Sequence, residues 1–325
     1  MAKTDVLMAA PMMRLIMDQL DARFTLHRLW EAPDRDAFLR DVGPRIRGVA
    51  SSPGHGRLDA ALLDHLPGLE IISSFGVGYD HVDAAEAARR RVLVTNTPDV
   101  LNEEVADLAL GLLLATIRQI PQADRYLRQG RWLEKPFPLT TTLRERKIGV
   151  LGLGRIGKAI ARRLDAFGVE VLYHSRNPQE DVTYRYHPTL LGLAEACDVL
   201  IVITPGGEGT RHIVDARVLK ALGPSGILIN VARGSVVDER ALIEALRDGT
   251  ILSAGLDVYE DEPRVPEELI EIEHVVLLPH VGSASVHTRN AMGQLVVDNL
   301  VSWFDGRGPL TPVPETPWRG GAAPT

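Results

Sequence analysis

The chain has 325 residues, 45% of them apolar and 24% charged, which is enough for two domains that each bury a core. A formal charge of −7, a pI near 5.8 and the lack of any basic run exclude a nucleic-acid surface. The single cysteine, Cys197, excludes an internal disulfide and a zinc cluster, and no metal site is expected.

The N-terminus "MAKTDVLMAAPMM" is too weakly apolar for a signal peptide and lacks a cleavage site, so the cytoplasm is the expected compartment. Four strands follow, in "DVLMAA", "GVAS", "LEIISS" and "VLVTNT", separated by helical patterns such as "RLDAALLDHL". This alternation predicts a parallel sheet flanked by helices. A long helix comes next, "LNEEVADLALGLLLATIRQI", with Asp99 or Asn102 as its cap. Its apolar run "LALGLLLATI" is about half a membrane span, so no membrane partner is expected. Residues 121–142 have poor periodicity, with Trp132, Pro136 and Pro138, and read as an arm.

From Lys147 six strands are expected: "KIGVLG", "VEVLYHS", "DVLIVIT", "GILINVA", "ILSAGLDVY" and "HVVLLPH". Six strands with crossover helices make a complete dinucleotide-binding unit. A final long helix, "NAMGQLVVDNLVSWFDG", precedes a loose tail, "TPWRGGAAPT". The expected fold is α/β: two doubly wound domains, with a Rossmann dinucleotide-binding domain (100–285) inserted into a substrate domain (1–99 and 286–325).

"GVLGLGRIGKAIARRL" sets Gly152, Gly154 and Gly157 in G-x-G-x-x-G spacing between an apolar strand and an amphipathic helix. The first glycine permits a tight turn, the second lets a pyrophosphate approach, and the third lets the helix pack on the strand. Arg155 and Ile156, between them, belong to the same phosphate turn. At the end of the second strand, where NAD proteins carry an acidic residue for the ribose, stand Ser175, Arg176 and Asn177. A carboxylate would repel the 2′-phosphate of NADP, whereas these residues can donate to it and pair with it. NADP is therefore the expected cofactor, with NAD as a weaker alternative; the plainer explanation is that Arg176 is a solvated surface residue.

The later strands end in "ITPGG", "NVARG", "LDVYEDEP" and "LLPHVGS", which bring Thr204, Arg233, Asp257, Glu262 and His280 to one rim beside the cofactor. Taken singly, each has a plainer explanation as a surface or turn residue. Together an Arg, a Glu and a His supply a positive anchor, an orienting carboxylate and a proton donor, which hydride transfer to a ketone requires. In "SSFGVGYDHVD", Gly76 and Gly78 flank Val77, and their N–H groups suit an anion-binding concavity as well as an ordinary strand-to-helix turn.

These motifs, in this order, resemble those of the D-isomer-specific 2-hydroxyacid dehydrogenases over nearly the whole chain, and most closely those of the glyoxylate and hydroxypyruvate reductases. The resemblance implies a flavodoxin-like substrate domain, and implies that Arg233 binds the substrate carboxylate and carbonyl oxygen. It makes His280 the proton donor and acceptor with Glu262 as its carboxylate partner. Val77 and Gly78 would hold the substrate carboxylate by backbone amides. Asp257 would contact the nicotinamide carboxamide, with Thr204, Val231 and Ala232 lining its pocket. A homodimer built on the cofactor domain is also implied, with the 121–142 arm contributing. Formate dehydrogenases of this superfamily place a glutamine at the Glu262 position, so the glutamate speaks for a 2-oxoacid. "TPGGEGTRHIV" departs from the usual pattern and predicts an altered loop at Gly206–Gly209. The expected function is NADPH-dependent reduction of a small 2-oxoacid. The rivals are a larger acid such as 2-ketogluconate or hydroxyphenylpyruvate, whose fit the loop "ASSPGHG" would govern, and a cofactor-sensing regulator.

Overall fold

The computed structural model describes residues 3–53 and 56–320; Gly54 and His55 of "ASSPGHG" and the last five residues of the tail lie outside them. The chain divides into two compact units, one running to Leu101 and resuming at Val286, the other spanning Asn102–Ser285.

The first unit holds β1 (Asp5–Met8), β2 (Thr25–Arg28), β3 (Ile46–Ser51), β4 (Ile71–Ser74) and β5 (Leu93–Thr95). Its helices are α1 (Arg14–Arg23), α2 (Arg35–Val42), α3 (Ala60–Leu63) and α4 (Ala84–Arg89). All strand pairs are parallel, in the order β2-β1-β3-β4-β5, the flavodoxin-like arrangement. The strand absent from the sequence reading is β2, "TLHR", whose partly exposed polar residues sit at the sheet edge.

The second unit begins with α5 (Asn102–Ile117) and α6 (Ile120–Arg128). It continues through β6 (Lys147–Leu151), α7 (Arg155–Asp165), β7 (Glu170–His174), β8 (Arg185–Tyr186), α8 (Leu190–Ala196) and β9 (Val199–Val202). The rest is α9 (Ala216–Leu222), β10 (Ile227–Asn230), α10 (Glu239–Arg247), β11 (Ser253–Leu256), α11 (Glu267–Ile270) and β12 (Val276–Leu277). The order β12-β11-β10-β9-β6-β7-β8 is the doubly wound dinucleotide-binding order with one strand more than expected, the two-residue β8. Strand β9 shows why both faces must be covered. Leu200 and Val202 enter one apolar cluster, Val199 and Ile201 another, and all four are buried. The apolar stretch of α5 is spent here: Ala109, Leu112, Leu113 and Ile117 belong to the second cluster. Among the described residues no helix is long and apolar enough to cross a membrane.

Part of the expected arm is helical. Gln119 takes a left-handed conformation that ends α5, and Pro121 falls in the first turn of α6, where its missing N–H costs nothing. Beyond it, Trp132, Leu133 and Leu139 are exposed, the last two almost completely.

Helix α12 (Val286–Phe304) returns to the first unit. Close approach is possible because Gly293 lies against Met13 and Ile16, and Gly48 against Leu300 and Phe304. The segment after α12 closes the β5 edge: Val313 N–H donates to the Val94 carbonyl at 2.9 Å, and Val94 N–H to Thr316 Oγ1 at 2.9 Å.

Candidate active site

In the second unit the phosphate turn follows β6. Gly152 has φ +100°, and a Cβ there would stand 2.9 Å from the Thr204 backbone. A Cβ on Gly157 would stand 2.1 Å from the Gly152 carbonyl oxygen. Gly154 is different: a Cβ there would meet no protein atom within 4 Å, only the adjoining cavity. Packing alone would admit a side chain at this position, and the space that glycine leaves is open to the cavity. Side-chain oxygens of Asp83, Thr189, Asp215 and Asp238 cap α4, α8, α9 and α10, whereas α7, like α1, α6 and α11, has no side-chain cap. That leaves the positive end of the α7 dipole facing the place where a pyrophosphate would lie.

Gly152, Gly154, Ser175, Arg176, Asn177 and Thr204 all line one cavity of about 840 Å³, a size that suits a dinucleotide. A cation, donors and an open helix end within it fit a phosphorylated dinucleotide. Arg155, Ile156 and Gly157 lie behind the turn in α7, and Val231 and Ala232 are buried. His174, Leu190 and Arg217 line the cavity without having been anticipated; no local pattern marks them. In the altered loop Gly207 has φ +121° and Thr210 Oγ1 donates to the Pro205 carbonyl at 2.7 Å, folding Gly209 and Thr210 onto the cavity wall.

At the ends of β10, β11 and β12 lie the acid–base candidates. Asn230, 1% exposed, accepts from Ala232 N–H through Oδ1 and donates to the Arg233 carbonyl through Nδ2, each at 3.1 Å. It holds the turn that carries Arg233. The sequence offered one signal for it, a polar residue closing an otherwise apolar strand. A Cβ on Gly234 would stand 1.8 Å from the Tyr259 carbonyl carbon, so this turn is pressed against the one leading to Glu262.

Glu262 uses both oxygens. Oε1 accepts from Tyr259 N–H at 3.1 Å, and Oε2 pairs with His280 Nδ1 at 2.6 Å. A carboxylate only accepts, so Nδ1 carries the proton and Nε2 is the imidazole nitrogen left for substrate. Burial raises the Glu262 pKa, but the hydrogen bond and charge of His280 outweigh it, and the carboxyl titrates below its ordinary range. His280 has φ +53°, uncommon for a residue with a side chain. Asp257 enforces that turn: its carbonyl accepts from His280 N–H at 2.9 Å, Oδ1 from Val281 N–H at 2.7 Å and Oδ2 from Gly282 N–H at 2.8 Å. Asp257 is 2% exposed, and burial raises its pKa against the opposing effect of those two amides. The structure thus gives this carboxylate a framework duty that local sequence did not disclose.

Known proteins resemble the chain over nearly its whole length. The description "D-isomer specific 2-hydroxyacid dehydrogenase, NAD binding domain" fits residues 110–282. The chain belongs to the D-isomer-specific 2-hydroxyacid dehydrogenase family. It is 49% identical to a glyoxylate/hydroxypyruvate reductase A of Arabidopsis thaliana, over 96% of this chain and 100% of that one. It is 47% identical to a hydroxyphenylpyruvate reductase of Plectranthus scutellarioides, over 95% and 98%. Among solved structures, an NADPH-dependent glyoxylate/hydroxypyruvate reductase of Sinorhizobium meliloti, in complex with NADP and malonate, superposes with a TM-score of 0.93 at 54% identity, covering 99% of this chain and 100% of that one.

In the other unit of this dehydrogenase, the loop after β4 is held by two carbonyls and by the Gly76 N–H, which the fold itself uses and which is therefore not offered to an anion. Thr97 N–H donates to the Gly76 carbonyl at 2.9 Å and Thr97 Oγ1 accepts from Gly76 N–H at 3.0 Å, while Asn96 Nδ2 donates to the Val77 carbonyl at 2.8 Å. Asn96 is itself fixed from the C-terminal side. Thr311 Oγ1 donates to its carbonyl at 2.6 Å, and buried Asn299 of α12 bonds Leu310 and Thr311. The Gly76–Val77 backbone is thereby held by Asn96 and Thr97, and Asn96 in turn by residues more than 200 positions further along the chain.

Proposed function

We propose that the protein reduces small 2-oxoacids such as glyoxylate and hydroxypyruvate to D-2-hydroxyacids with NADPH. The observation that carries this is the His280–Glu262 pair, set beside the Arg233 turn on the sheet whose cavity suits a dinucleotide. When bound, the reduced nicotinamide supplies hydride to the carbonyl carbon. His280, as the imidazolium, gives its Nε2 proton to the substrate oxygen and is left neutral with its Nδ1 proton hydrogen-bonded to Glu262, which balances the charge of the donating form and keeps the ring in place. Arg233 binds the substrate carboxylate and the carbonyl oxygen, stabilising charge as it develops. In the first unit, Val77 and Gly78 are the proposed carboxylate-binding residues, through their backbone amides. Gly152, Gly154, Arg155, Ile156 and Gly157 form the pyrophosphate turn, and Ser175, Arg176 and Asn177 receive the 2′-phosphate. Thr204, Val231, Ala232 and Asp257 surround the nicotinamide.

Steady-state oxidation of NADPH and NADH with glyoxylate and with hydroxypyruvate tests this. NADPH should give kcat/KM about tenfold higher or more, a difference of about 1.4 kcal/mol. Parity or a preference for NADH would overturn the 2′-phosphate assignment. Silence with both acids would favour hydroxyphenylpyruvate, the substrate named for the Plectranthus scutellarioides relative. The working form is a homodimer, supported by the exposed Ile120, Leu127, Trp132, Leu133 and Leu139 on one short stretch. A monomeric mass in light scattering would remove that part. The cytoplasm is the proposed compartment, and cell fractionation is its test.

A further inference from the structure

The loop that ends β7 is closed at both ends by tyrosine hydroxyls. Tyr186 Oη donates to the Ser175 carbonyl at 3.3 Å, and Gln179 N–H donates to Tyr173 Oη at 2.8 Å. Tyr173 is 1% exposed, and its ring lies 5.3 Å from that of Tyr186, centroid to centroid. The two are register partners of β7 and β8, so the short strand exists at the point where it brings one hydroxyl to each end of the loop. Neither tyrosine lines the cavity, whereas Ser175, Arg176, Asn177 and Gln179 do. Inside the loop Ser175 Oγ donates to the Asn177 carbonyl at 2.6 Å. Below it His174 Nδ1 donates to the His187 carbonyl at 2.8 Å.

We propose that Tyr173 and Tyr186 are positioning residues for the choice of NADP over NAD. They set the backbone from which Arg176 meets the 2′-phosphate, without touching the cofactor. Bidentate pairing with a phosphate demands a fixed fork, and ordering a long side chain on a loose loop would consume part of the binding energy. An adenosine ribose without the phosphate makes no use of that fork, so its binding should be indifferent to the tyrosine hydroxyls. The inference rests on the reading of Ser175–Asn177 as the 2′-phosphate site.

Tyr173→Phe and Tyr186→Phe, each removing one hydroxyl and keeping the ring, are compared with Arg176→Ala in kinetics with NADPH and NADH. Each tyrosine variant should raise KM for NADPH about five- to tenfold, the effect of one hydrogen bond, with kcat and KM for NADH within about twofold. A purely structural role would lower the melting temperature and move both cofactors together. If both tyrosine variants keep the parental NADPH/NADH ratio while Arg176→Ala collapses it, the proposal falls and the phosphate site stands. If Arg176→Ala leaves the ratio unchanged, both fall. A shift in one tyrosine variant alone upholds the role for that residue and removes it from the other. Tyr186, at the sheet edge, keeps the test decisive should the buried Tyr173 tolerate no change.

Discussion

Replacing Glu262 with Gln changes one oxygen for an NH₂ group and leaves the shape alone, yet the structure makes it a severe test. Both glutamate oxygens are acceptors in use, one for Tyr259 N–H and one for His280 Nδ1. Glutamine has a single acceptor. If its carbonyl stays with Tyr259, its NH₂ faces Nδ1 and forces the proton onto Nε2 of a neutral ring. If its carbonyl turns to His280, Tyr259 N–H faces a donor. A hydrogen bond to a charged group contributes about 1.5–3 kcal/mol against roughly 1 for a neutral one, and an orphaned buried N–H costs about 1–3. The side chains of His280 and Glu262 are 44% and 33% exposed, so solvent screening places the sum near the low end. A loss of about 2 kcal/mol corresponds to roughly 30-fold in kcat/KM. The assay is glyoxylate reduction at saturating NADPH, with NADPH affinity followed separately by fluorescence. Turnover within about twofold of the parent would refute the role given to Glu262. Parallel loss of NADPH affinity would show that the substitution disrupts the cofactor unit and not the acid–base pair.

Asn230→Ala should raise KM for glyoxylate about tenfold while Arg233 remains present, because a buried residue that holds both flanks of the turn is lost; an unchanged KM would mean the turn holds itself. Gly157→Ala drives a methyl group into the Gly152 carbonyl and should cost about 1–3 kcal/mol of stability. NADPH fluorescence titration should show weakened binding, and a variant with parental affinity and melting temperature would contradict the close-approach argument. The Glu262 pKa is lower in the folded protein than in the unfolded chain, so its contribution is complete above the ordinary Glu range and disappears as pH falls through the folded value. The melting-temperature gap between parent and Glu262→Gln should therefore narrow as pH is lowered through and below the ordinary Glu range. A gap that holds constant would show that ionisation of this carboxylate is not what the fold uses.

Buried strands such as "VLIV" and "ILIN" were legible because both faces of a parallel sheet are covered, which leaves continuous apolar runs. Strands β2 and β8 were not: "TLHR" is an edge strand with polar side chains, and Arg185–Tyr186 is too short to show a period. Proline concealed α6, since a helix breaker and a first-turn residue look alike until the preceding left-handed Gln119 is seen. At the site, the rule that strand ends gather the chemistry pointed to Arg233, Glu262 and His280, and the structure sets Glu262 against His280. The duty of Asp257 toward Val281 and Gly282 was hidden, because it joins residues 24 and 25 apart through a turn that only the packed sheet creates.

The threading of the chain has a consequence for how the molecule is made. A ribosome releases the first sheet early, but that sheet still lacks α12, whose Val296 carbonyl accepts from Ser73, and the 311–316 segment that closes its β5 edge. The dinucleotide unit is complete once Ser285 has emerged and can fold while the earlier unit waits with an unpaired edge and an uncovered apolar face. A nascent chain stalled just after Ser285 would thus be the aggregation-prone form. The part of the protein synthesised first is the part finished last.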